Sequence, residues 1–131
     1  MKNEFVTYEI ALELKELGFD EPCFKAYDIK GVLQKCTSDY WDINSLNRIN
    51  EATTSNLKVL APTFSQCFRW FREKYGLISY VHPLDLLQDT KKWCYEITNF
   101  ESSWDEDSDL HTPEEAELAC LLELINICKK K

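Results

Sequence analysis

The chain has 131 residues, enough for one domain and too few for two. Its 44% hydrophobic content excludes a disordered tail, and three glycines with four prolines exclude collagen-like or low-complexity chain. A net charge of −8 argues against binding nucleic acid through a basic face.

Six cysteines stand at 23, 36, 67, 94, 120 and 128. An even number suits disulfides. The start, Met1-Lys2-Asn3-Glu4-Phe5, however, lacks the apolar run that follows the charge in an export signal. The expectation is a reducing, cytoplasmic compartment with free thiols. No two cysteines are spaced C-x-x-C, so neither a zinc knuckle nor a thioredoxin-like site is indicated. They read as small buried hydrophobes. No apolar run approaches the ~20 residues that span a bilayer.

The first predicted helix runs from about Thr7 to Leu17, with Thr7 as N-cap. Tyr8, Ala11, Leu12, Leu14 and Leu17 form its apolar face. Gly18 suits the left-handed position after the helix, and Phe19 can fold back on Leu14. Residues 22–28 read as a short strand. Residues 29–56 read as a long irregular segment, in which Val32 and Leu33 offer a ragged strand at most. A loop of that length is often functional. Leu57 to Leu60 alternates as another brief strand.

The second predicted helix opens with Pro62 at its first position, where a missing amide costs nothing. Phe64, Cys67, Phe68, Phe71 and Tyr75 form one stripe, with Trp70 at its boundary, and Gly76 closes the helix. Leu77 to His82 and Trp93 to Phe100 alternate as strands, joined through Pro83 as an antiparallel pair. In the second of these, Trp93, Tyr95 and Ile97 share one face; Cys94, Glu96 and Thr98 share the other.

The last helix begins with Thr112-Pro113-Glu114-Glu115, a capping box with Glu115 reaching back. Leu118, Leu121, Leu122, Ile125 and Cys128 form its stripe. Ala116, Ala119, Cys120 and Ile127 leave much of the other side small or apolar, so the helix is buried or partly covered by a partner. The order predicts one α+β domain over residues 1–131, with a small, mainly antiparallel sheet packed against three amphipathic helices.

Four segments together carry a resemblance. They are Phe5-Val6-Thr7-Tyr8-Glu9-Ile10-Ala11 with Leu17-Gly18-Phe19-Asp20-Glu21-Pro22-Cys23; Ala61-Pro62-Thr63-Phe64-Ser65-Gln66; Phe68-Arg69-Trp70-Phe71-Arg72-Glu73-Lys74-Tyr75-Gly76; and Glu114-Glu115-Ala116-Glu117-Leu118-Ala119-Cys120. The set resembles a family of small uncharacterised proteins encoded by phages and prophages of gut bacteria of the Bacteroides group. The resemblance implies a setting, the bacterial cytoplasm during phage carriage or infection, and an accessory role. It implies no activity and no catalytic residue.

The charge is concentrated. Residues 101–117 hold eight acids and no Lys or Arg, so the whole net charge lies in what reads as an acidic loop and the helix start behind it. The plainer reading is a solvated loop. The functional reading is a partner-binding surface of Trp104, Asp105, Asp107 and Asp109, with Trp104 as an apolar anchor ringed by charge. Asp105, Asp107 and Asp109 also have the spacing of the first three ligands of a calcium loop. Leu110 stands where that loop needs Gly, however, and Ala116 where it needs Glu. No metal or cofactor is therefore expected.

His82 and His111 are the only histidines, and no local signature pairs either with a nucleophile. Arg69, Arg72 and Lys74 beside Trp70 read as a solvated helix flank, too few for a nucleic-acid face. The functional expectation is a non-enzymatic accessory protein that binds a host or phage protein, without direct nucleic-acid or membrane contact. Two alternatives stay open: an acidic decoy that mimics nucleic acid toward a host DNA- or RNA-binding protein, and an enzyme without a recognisable motif.

Overall fold

The computed structural model describes residues 4–35, 40–46, 56–83, 92–99, 101 and 103–130, with 103–109 described by their backbone. The fold is α+β, as expected, and the chain divides into two compact units, residues 1–64 and 65–131. Each holds one three-stranded antiparallel sheet.

The first unit begins with α1, Tyr8–Glu16. Thr7 Oγ1 accepts the Ile10 amide at 3.3 Å, so the expected N-cap forms. At the other end the Phe19 amide donates to the Leu14 carbonyl and the Gly18 amide to that of Lys15, both at 3.0 Å. This pair of bonds is the Schellman ending, and it requires the left-handed φ of 97° at Gly18. The helix buries Ile10, Ala11 and Leu14 and packs on β3, Leu57–Ala61.

Next to β3 lies β1, Lys25–Asp28, and beyond it β2, Leu33–Lys35. The segment 29–56 is therefore not uniformly irregular. Its start is a tight β1–β2 turn organised by Asp28, whose Oδ1 accepts the amides of Lys30 (2.9 Å) and Val32 (3.0 Å) while Oδ2 accepts from Gln34 Nε2 (3.2 Å). A short carboxylate that captures amides two and four residues on turns the chain without help from hydrophobic patterning. Further on, Trp41 bridges Cys23, and 43–46 forms a helical turn with Asp42 accepting the Ser45 amide at 2.7 Å. Residues 36–39 and 47–55 of that segment lie outside the described residues.

The second unit contains α2, Phe64–Tyr75, which starts at the division. Pro62 is not its first residue. The chain is still extended there: the Pro62 carbonyl accepts the Val6 amide at 3.0 Å, and Thr63 bridges Phe5. Cys67, Trp70 and Phe71 are the buried residues of α2. Trp70, expected at the boundary of the stripe, lies inside it, edge-on to Phe71 and Tyr75. Gly76 ends the helix at φ 69°, its amide donating to the Arg72 carbonyl.

The second sheet has the order β4-β5-β6, with β4 Ile78–Pro83, β5 Trp93–Thr98 and β6 Ser103–Leu110. The β4–β5 pair is antiparallel as expected, with Tyr80 opposite Glu96 and His82 opposite Cys94. The acidic loop is a correction: residues 103–110 form a strand. Asp is poorly suited to strands by propensity, but β5 offers a row of backbone groups that need partners, and charge is welcome on a sheet edge. The register slips opposite Cys94, where Trp93 pairs with Leu110 and Tyr95 already with Glu106.

The last helix, α3, runs Pro113–Lys129 and packs across β4 and β5. Thr112 Oγ1 accepts the Glu115 amide at 3.1 Å. The Glu115 carboxylate accepts the His111 amide at 2.9 Å, one residue before the expected partner. The expected stripe is also rotated. Leu118 and Leu122 are exposed, while Ala116, Cys120, Leu121, Leu124, Ile125, Ile127 and Cys128 are buried. The small side chains of Ala116 and Cys120 let the helix lie close to the strands, so the sheet takes that sector.

Candidate functional site

Alternation along β4 and β5 divides the second sheet into two faces with different chemistry. Ser79 and Val81 share a face with Ile97 and Tyr95, their partners in register. Tyr80 and His82 share the opposite face with Glu96 and Cys94.

A pocket of about 300 Å³ opens beside β4. Its walls are Phe68 of α2, Ser79, Tyr80 and Val81 of β4, Trp93 of β5, and Pro113, Glu117 and Cys120 of α3. The volume lies at the lower end of small-molecule sites and also admits one large apolar side chain. Burial pushes the Cys120 thiol up to about 12, opposed by a hydrogen bond with Ser79. It is therefore a protonated, inert wall and not a nucleophile. Burial, and then the neighbouring Glu114, hold the Glu117 carboxyl above its ordinary range. Among the described residues no base pairs with Glu117. The strand at the pocket mouth, β4, has β5 as its only strand partner among the described residues.

The other face gathers ionisable groups. Cys94 Sγ lies 3.4 Å from His82 Nε2 and 3.6 Å from Nδ1. His82 Nδ1 lies 2.8 Å from the Pro83 carbonyl, which can only accept, so Nδ1 is the donor of that bond. Glu96 Oε1 lies 3.8 Å from Nε2, and Glu96 Oε2 accepts from the Tyr80 hydroxyl. That hydrogen bond, more than burial, raises the Tyr80 phenol. Sequence reasoning missed this group because twelve residues separate His82 from Cys94. The signal present was the face shared by Cys94 and Glu96. The strand register that brings His82 opposite Cys94 was not readable.

The residues expected to bind a partner sit on β6. The backbone of Trp104 lies opposite Ile97 and that of Asp105 opposite Glu96, while Asp107 and Asp109 fall in the register slip opposite Cys94. The side chains of these four lie outside the described residues, so Trp104 as an anchor is placed only by its backbone. Among the described residues no group of three His, Cys, Asp or Glu is arranged to hold a metal. The five described cysteines, 23, 67, 94, 120 and 128, are thiols and not disulfides. No described helix is long and apolar enough to cross a membrane. No family model, no curated protein and no solved structure matches the chain.

Proposed function

We propose that the chain is a non-enzymatic, phage- or prophage-type accessory protein of the bacterial cytoplasm that binds an extended segment of a host or phage protein along β4. The single observation that carries this reading is the apolar pocket at the mouth of a strand that pairs on one side only among the described residues. Strand addition supplies backbone hydrogen bonds, and a pocket for one side chain supplies selectivity. Glu117 adds a charge preference. A Lys or Arg next to the seated apolar side chain would neutralise a half-buried carboxylate that has Glu114 as its neighbour.

The test is selection from a random peptide library against the whole chain. Enriched peptides should pair an aromatic or large aliphatic residue with a nearby Lys or Arg. Capture should fall at least about tenfold on Val81→Glu, which fills the pocket with charge. Glu117→Gln should weaken only the basic peptides. Ligands that ignore both variants and lose affinity steeply with salt would replace this reading with the decoy, acting through the acids of 101–117. An unselective library would refute it.

A further inference from the structure

The second sheet takes one sector of α3, and the sector turned away from it carries a pattern of its own. Its exposed residues Glu115, Leu118, Leu122, Asn126 and Lys129 follow one another at intervals of three or four, so they form one stripe along the helix. Leu118 is 38% exposed and Leu122 46%. The stripe is symmetric about Leu122: Leu118 and Asn126 stand four residues to either side of it, and Glu115 and Lys129 seven. We infer that this stripe is a self-association surface, on which a second copy of the chain lays its own α3 antiparallel, with the two-fold axis at Leu122.

Symmetry and charge together name that occupant. A two-fold contact needs a surface complementary to itself. In the antiparallel pair Leu122 meets its own counterpart, and the two copies of Leu118 close the same apolar cluster from either side. Glu115 in the first turn comes opposite Lys129 in the last turn of the second copy, once at each end. A parallel pair would set Glu115 against Glu115 and Lys129 against Lys129, with the helix dipoles aligned unfavourably. Both groups can take this partner. The Glu115 carboxylate holds the His111 amide through Oε2 and has further acceptor capacity, and an ammonium has three donors. Intervals of three and four are also those of a coiled-coil seam. Two leucines per copy are little beside the roughly 800 Å² per partner of a standard interface, so the pair is weak. The pocket residues of this helix, Pro113, Glu117 and Cys120, lie off the stripe, so the inference does not rest on binding along β4.

The experiment is sedimentation equilibrium of the whole chain under reducing conditions, from about 10 µM to about 1 mM, the range of weak association. The chain should pass from monomer to dimer as concentration rises. Leu122→Glu places two carboxylates on the axis and should raise the dissociation constant at least about tenfold. Lys129→Glu should raise it about threefold or more. Mixing the Lys129→Glu chain with the Glu115→Lys chain should restore pairing, because opposite charges meet again at both ends. A chain that stays monomeric throughout would overturn the inference. So would a dimer indifferent to Leu122→Glu, and its loss in Val81→Glu would place the contact on β4 instead. Thermal melts check that each variant folds. If Leu122→Glu does not, Leu118→Gln decides, with an unchanged dissociation constant overturning the inference.

Discussion

In residues 1–64 the polar side chains serve the backbone. The Tyr27 hydroxyl donates to the Val6 carbonyl at 2.6 Å, Asp28 gathers the amides of the β1–β2 turn, and Thr7 caps α1. In residues 65–131 a comparable sheet carries polar groups that close no turn and cap no helix: His82, Cys94, Glu96 and Tyr80 on one face, and Glu117 in the pocket on the other. Polar groups that neither close a turn nor cap a helix are candidates for chemistry or recognition. The proposed function rests on this difference.

The largest expected effect tests whether the core of the second unit is independent of its pocket. Phe71 is fully buried, and Phe71→Ala should cost about 3–5 kcal/mol in denaturant unfolding. Phe68 is half-buried at the pocket wall, and Phe68→Ala should cost less than about 2 kcal/mol. Equal losses would make the pocket part of the core and remove its claim to a ligand.

A middle-sized effect tests the structural role of polar groups in the first unit. Tyr27→Phe deletes the hydroxyl but keeps the edge-on contact with Tyr8. A loss of about 1 kcal/mol is expected, because the Val6 carbonyl is left without its donor. No loss would mean that this hydroxyl does not hold the fold.

The smallest effects have opposite signs in the two units. The Val32 amide above all, and then Gln34 and Lys30, hold the Asp28 carboxyl below its ordinary range. Its contribution is present above the ordinary value of 3.8 and is lost as pH falls through the lowered one. Glu117 is raised, so its relative cost to the fold is absent below the ordinary 4.5 and develops as pH rises through the raised value. At pH 7, Asp28→Asn should lower the melting temperature slightly and Glu117→Gln should raise it slightly. Both differences should shrink in acid. A fall in Glu117→Gln at neutral pH would mean that a base does pair with this carboxylate.

Much of the local structure was legible. The caps at Thr7 and Thr112 and the left-handed turns at Gly18 and Gly76 involve residues a few positions apart, so their hydrogen bonds are written in neighbouring letters. The faces of β5 were legible for the same reason. The start of α2 was not, because the Val6 amide holds Pro62 extended from far along the chain. The candidate sites were hardly legible at all. Trp104 and its acids attracted notice by composition, whereas the pocket and the Cys94–His82 pair gather residues from several elements.

The sequence by itself determined where α1 and α3 begin, how α1 and α2 end, and that a pair of antiparallel strands joins them in an α+β chain. Those choices rest on bonds spanning about five residues and on the two- and 3.6-residue periods of side-chain direction. Only the tertiary structure decided that the acid-rich segment 103–110 pairs as a strand, that α3 buries Cys120 rather than Leu118, and that His82 stands opposite Cys94. Each depends on a backbone edge or a surface supplied by a distant segment. A neighbour of that kind can override weak propensity and can choose one of several apolar sectors around a helix.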